Sequence, residues 1–138
     1  MKLVDVYSTD GALEDLFDLL SERTPEQAIS HEKMPTWNEH VAYVNKRPVP
    51  YWYLIKSDDI GETTVGSIYL SRRREIGVWI FKRHHRTGCG SWAVKEIMRM
   101  HPGKFYANIS PYNAPSIIFF TGLDFDLIQM TYRSDNGS

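Results

Sequence analysis

Apolar and polar positions alternate over KLVDVYS (2–8), the period of a strand buried on one face. The period then lengthens. Asp10 is placed to cap a helix whose apolar stripe is Leu13, Leu16, Phe17 and Leu20. A second helix is predicted from Thr36, because Thr36 and Glu39 have capping-box spacing and Trp37, Val41 and Val44 recur at i, i+4, i+7. Pro48 stops it. Residues 24–35, polar and holding Pro25 and Pro35, predict a short helix or loop able to reach over a binding site.

The middle of the chain reads as β: YWYLIKS (51–57), TTVGSIYLS (63–71) and EIGVWIF (75–81) are strands, separated by the turn-rich DDIGE and by a turn at Arg72–Arg74. Three strands with short links predict an antiparallel meander. Ala93, Val94, Ile97 and Met98 then form a helical stripe that His101-Pro102-Gly103 ends. KFYANIS (104–110) reads as a strand reached by a parallel crossover, NAPSIIFFTGL (113–123) as a short helix and FDLIQMTYR (125–133) as a last strand. The order β-α-α-β-β-β-α-β-α-β predicts one α/β domain over 1–138, with a mixed, mostly antiparallel central sheet flanked by helices.

Composition narrows the function. A net charge of −1 supplies no global basic field for nucleic acid, so any anion site must be local. Cys89 is the only cysteine, which excludes an internal disulfide and fits a reducing compartment. The N-terminal stretch lacks the pattern of a signal or transit sequence, and no apolar run approaches the roughly 20 residues of a membrane span. These features predict a cytoplasmic protein.

The densest candidate chemistry is KRHHRTGCGSW (82–92), between the third meander strand and the following helix. Glycines there let backbone approach a ligand, and the helix N-terminus favours an anion. Gly88, Gly90 and Ala93 match the G-x-G-x-x-A dinucleotide fingerprint, but the strand ahead of them closes a meander and residues 105–112 contain no acid. The P-loop pattern is absent. His84, His85 and Cys89 lack a second ligand cluster, so no metal is predicted. A small residue in a tight turn is the simpler role for Cys89.

His85-Arg86-Thr87-Gly88-Cys89-Gly90 resembles the [Q/R]-x-x-G-x-[G/A] acetyl-coenzyme A loop of the GNAT superfamily, the Gcn5-related N-acetyltransferases. Asn113-Ala-Pro-Ser116 through Phe120 to Phe125 resembles that family's later N-x-x-S motif, and Glu75-Ile76-Gly77 is similar to its ribosomal-protein and amino-sugar branch. The resemblance implies a GNAT fold with a shortened C-terminal strand region, and transfer of an acetyl group from acetyl-coenzyme A to a primary amine. It implies that backbone from His85, Arg86, Thr87, Gly88, Cys89, Gly90 and Ser91 holds the pyrophosphate. Val78 and Ile80 would bond the pantetheine arm, with Asn113, Ser116 and Phe120 near it. Lys82, Arg83 and Arg86 are candidates for phosphate contacts.

His85 replaces the family's Gln or Arg, Asp124 its glycine, and Phe120 the tyrosine that would protonate the thiolate; a phenyl ring cannot donate. Tyr112, Ser116 and His84 are substitute acids, and Glu75 is the candidate base, against its reading as a turn carboxylate paired with Arg72–Arg74. His31, His40, Trp37, Tyr43, Tyr51, Trp52 and Tyr53 divide between an acceptor pocket and core. Phe120 also leaves open a non-catalytic module that binds coenzyme A or a protein. The last strand is expected to be unpaired on one edge or completed by a second copy in a homodimer.

Overall fold

Four strands form an antiparallel sheet in the order β1 (Lys2–Asp5), β2 (Tyr51–Lys56), β3 (Thr64–Leu70), β4 (Ile76–Ile80). They belong to a computed structural model that describes residues 1–23 and 33–136. The strand β3 is buried on both faces except at Tyr69, because helices cover both sides. On one side pack α1 (Ala12–Ser21) and α2 (Trp37–Asn45), around Val6, Leu16, Leu19, Val44 and Leu54. On the other pack α3 (Cys89–Met100) and α4 (Ala114–Gly122), around Ile55, Ile68, Val94, Ile97 and Phe120. The helix-period and strand-period stripes of the sequence therefore meet in two cores, one on each face of the sheet.

The Thr36 capping box is present in full: Glu39 N–H donates to Thr36 Oγ1 and Thr36 N–H to the Glu39 carboxylate. The predicted Asp10 cap is not. Ala12 N–H bonds the Thr9 carbonyl, so the chain turns through Gly11 at φ 81°, and Gly11 takes the N-cap position with no side-chain bond. His40 is core: it is buried against Phe17 and Trp37, with Nε2 donating to the Leu13 carbonyl at 2.8 Å. His31 and residues 24–32 of the expected loop lie outside the described residues.

Two predicted strands differ. Residues 104–110 run extended and parallel beside β4 but pair with it only at Tyr106, whose N–H donates to the Arg74 carbonyl while its own carbonyl accepts from Ile76 N–H. Phe105, Ala107 and Ile109 face the core. FDLIQMTYR (125–133) forms no strand. Its pattern supplies the side chains of a strand, but among the described residues no sheet edge meets its backbone.

Candidate active site

Strand parity decides what β4 offers. Phe81 N–H bonds the Val65 carbonyl and Ser71 N–H the Glu75 carbonyl, so odd residues pair with β3. Main-chain groups of Ile76, Val78 and Ile80 therefore point away from β3. Ile76 is met by Tyr106, and past that point the two segments part. The backbone of Val78 and the N–H of Ile80 face a gap in the sheet with no protein partner among the described residues. Half-buried main-chain donors and acceptors seek partners, so the gap is a ready edge for an extended, amide-bearing ligand. The Ile80 carbonyl is taken: His85 Nε2 donates to it at 2.9 Å.

The basic glycine loop opens beside this gap. A short turn at Lys82–His84 is tied down by Lys82 N–H donating to Glu22, and Thr87 Oγ1 donates to the His84 carbonyl at 2.5 Å. Arg86 and Gly88 both have positive φ, 62° and 82°. Gly88 is the N-cap of α3, with no side-chain cap and no acid in the first turn. Trp92 N–H takes the first helical bond, to the Gly88 carbonyl. The N–H groups of Cys89, Gly90 and Ser91 are left at the open end, where an anion is favoured. A Cβ on Gly88 would meet nothing within 4 Å, so the approach is clear. Lys82 and Arg86 are exposed and form no ion pair among the described residues, whereas Arg83 lies over the Phe81 ring at 4.4 Å. Cys89 is buried in the core beneath the turn.

The N-cap of α4 is Asn113, whose Oδ1 accepts from Ser116 N–H at 3.2 Å; this leaves its amide NH₂ for another partner. The structure places Phe120 in the core, 6% exposed, edge-on to Phe119 and Phe125. Phe119 is the ring that closes the site. A Cβ on Gly90 would stand 3.2 Å from it and 3.6 Å from Ile80, so β4, α3 and α4 converge there. Phe119 and Phe120 both lie one helical turn from Ser116, so spacing alone does not choose between them. Tyr112 is 81% exposed.

Glu75, Gly77 and Trp79 project to the opposite, α1/α2 face. Glu75 accepts from Ser71 Oγ at 3.2 Å and from Asn108 Nδ2, and forms no ion pair with Arg72–Arg74 among the described residues. Arg74 is spent elsewhere, donating to the His101 and Lys104 carbonyls. Tyr69 lies flat over Gly77, where any Cβ would fall 2.1 Å from its ring. Burial chiefly, then Tyr43 and Glu75, push its hydroxyl pKa up. Trp52 stands edge-on to Tyr7, Tyr43 and Tyr69, and the half-buried Arg23 lies 5.2 Å over Trp79. Trp52 Nε1 and Arg23 Nε are buried without a hydrogen-bond partner among the described residues. Tyr51 and Tyr53 pack instead on His101, at the far end of the sheet. Sequence pattern did not single out Tyr69 or Arg23; the strand pairing of Tyr69 with Gly77 is what brings that ring beside Glu75.

No protein-family model matches this sequence, and no curated protein does. Solved structures do. A domain from Methanocaldococcus jannaschii is 23% identical with a TM-score of 0.72, over 98% of this chain and 92% of that one. The aminoglycoside 6'-N-acetyltransferase AAC(6')-Ig of Acinetobacter haemolyticus is 14% identical with a TM-score of 0.69, over 100% of both chains. An N-acetyltransferase from Staphylococcus aureus is 15% identical with a TM-score of 0.62, over 90% of this chain and 81% of that one. The chain has the fold of the GNAT-type acetyltransferases.

Proposed function

We propose that this chain transfers an acetyl group from acetyl-coenzyme A to a primary amine by direct attack within a ternary complex. The observation that carries the reading is the parting of β4 from residues 104–110 beside an open, cation-flanked helix N-terminus. The two features suit the two ends of one ligand. Backbone from His85 to Ser91 would hold the pyrophosphate, with Lys82 and Arg86 adding charge. Val78 and the Ile80 N–H would bond the pantetheine amides, and Asn113, Ser116 and Phe119 would flank the thiol end.

The gap joins the sheet's two faces, so an acceptor amine would come from the face that carries Glu75 and Tyr69. The amine must lose a proton to attack, and Glu75, oriented by Ser71 and Asn108, is the candidate base, directly or through water. An outward N–H of β4 would stabilise the oxyanion that forms on the thioester carbonyl. The amine nitrogen bonds the acetyl carbon, the carbon–sulfur bond breaks, and the thiolate takes a proton from Tyr112, Ser116 or solvent. The aromatic rings Tyr43, Trp52, Tyr69 and Trp79 would wall the acceptor side.

Thiol release from acetyl-coenzyme A, measured across a panel of amines alongside equilibrium binding of coenzyme A, tests this. Turnover with at least one amine is expected. Binding without turnover would favour the non-catalytic module; absence of binding would overturn the site.

A further inference from the structure

Glu75 and Arg23 stand on the same face of the sheet, and they are satisfied unequally. Glu75 accepts from Ser71 and Asn108. Arg23, just past the end of α1, has no ion pair and no side-chain hydrogen bond among the described residues, and its Nε is buried. The adjacent Glu22 is turned to the Lys82 N–H, 2.8 Å away, and not to Arg23. Arginine keeps its proton in a protein, so a buried guanidinium cannot shed its charge and must be met by an anion or by water. The Trp79 ring, 5.2 Å away, supports the cation from one side only.

A second donor is left over beside it. Trp52 Nε1 is likewise buried with no acceptor among the described residues. The two donors share neighbours: Trp52 stands edge-on to Tyr43 and Tyr69 at 6.4 Å, and the same two phenols lie within electrostatic reach of Arg23. Strand pairing puts Trp52, Tyr69 and Gly77 in one row across the sheet, and the bare Gly77 lets the Tyr69 ring lie over β4. There the Tyr69 hydroxyl feels Glu75 as well as Arg23. Two unanswered donors and one carboxylate therefore border a single aromatic surface.

We propose that the acceptor is a primary amine that also carries a carboxylate, an amino acid in the broad sense, with Arg23 and Trp52 holding the carboxylate while the amine lies toward Glu75. The identity of the reacting amine rests on the acetyl-transfer reading; the carboxylate subsite rests on Arg23 and Trp52. Charge count favours a carboxylate over a phosphate monoester. One guanidinium and one neutral N–H match a single negative charge on two oxygens, whereas the monoester brings nearly two charges and three oxygens. The surrounding rings keep water away, and a charge-assisted bond is stronger where the local dielectric is low.

Alanine, leucine, phenylalanine and 4-aminobutyrate, each compared with its own amide, isolate the charge at nearly constant shape. Thiol release should favour the acid over the amide at least about tenfold in kcat/KM for the preferred member. An α-amide's amine is less basic and more often neutral, so reactivity alone would favour the amide. Arg23→Gln should bring the acid-to-amide ratio to about one, and Arg23→Lys should keep part of it. Trp52→Phe keeps a ring, removes only the N–H and should reduce the ratio about threefold, a second reading if Arg23→Gln does not melt cooperatively. Calorimetric titration with the same acids, with and without coenzyme A, reads binding whether or not transfer occurs. Binding that depends on Arg23 without thiol release would keep the carboxylate subsite and overturn acetyl transfer. Thiol release in which the amides equal the acids, or phosphoethanolamine exceeds them, would keep acetyl transfer and overturn the subsite. Absence of binding by every acid, or a ratio that both Arg23→Gln and Trp52→Phe leave unchanged, overturns the subsite as well.

Discussion

The helices α1 and α3 begin with the same device and differ in what surrounds it. Gly11 at φ 81°, ψ −2° and Gly88 at φ 82°, ψ 0° are both left-handed N-caps without a side-chain bond, and a Cβ on either would meet nothing within 4 Å. The first turn of α1 carries Glu14 and Asp15, and the 470 Å³ cleft beside it is lined by Asp10, Glu14 and Arg47. Asp15 is further engaged by Thr64 and by Lys56 at 3.6 Å. The first turn of α3 carries no acid, and Lys82, Arg83 and Arg86 precede it. One helix N-terminus answers its own positive end with carboxylates. The other leaves it open. Backbone geometry alone therefore does not mark an anion site; the charge around it does.

The largest expected effect separates strain from site. Gly88→Glu and Gly11→Glu both force a non-glycine residue into the left-handed region and should each cost about 1 kcal/mol of stability. Only Gly88→Glu places a carboxylate where the pyrophosphate is proposed to sit, so coenzyme A binding should weaken by about 100-fold there. Titration calorimetry and melting of both variants check this; equal losses of affinity would mean that the α3 terminus is not special. Lys82→Gln with Arg86→Gln should weaken binding by about tenfold in low salt and less in high salt, because exposed charges are screened. Ser91→Glu recreates the acidic turn of α1 on α3. It should raise stability by about 0.3–1 kcal/mol while lowering coenzyme affinity by about fivefold. Stability and affinity changing in the same direction would break the comparison.

Much of this arrangement was legible in the residues, and the exceptions have physical causes. Helical periods placed α1, α2 and α3, each of which has one face to bury, and apolar runs bounded by turn residues placed β2, β3 and β4. Gly88 and Gly90 stood out because glycine marks both the left-handed cap and the close approach to Phe119. Phe119 and Phe120 were not separable, since both lie one turn from Ser116 and only packing against Gly90 decides between them. The identity of the α1 cap was missed because Asp10 and Gly11 are both good caps and the Thr9 carbonyl bond selects the glycine. The stretch 125–133 has a strand's pattern, but pairing is a property of two segments, and the described residues of one chain leave it alone.

The smallest predicted effect concerns the other end of α3. A helix C-terminus ordinarily favours a cation, yet His101, the C-cap, has its pKa held below the usual 6.5, first by burial and then by repulsion from the Arg74 guanidinium. Neutral His101 can accept a hydrogen bond from Tyr53 Oη at 2.9 Å, its ring 3.9 Å from that of Tyr51 and tilted 30° to it, and protonation would remove that acceptor. The unfolded chain binds the proton more readily than the folded one, so stability should be full above pH 6.5 and decline as pH falls below it, levelling once the folded histidine also titrates. His101→Gln removes the titration and should flatten this part of the pH profile of melting temperature. The proposed coenzyme site lies at the opposite end of the helix, so the same substitution should leave coenzyme affinity unchanged. An acid-side loss of stability that persists in His101→Gln would assign it to another group, and a fall in affinity would mean that the two ends of α3 are coupled.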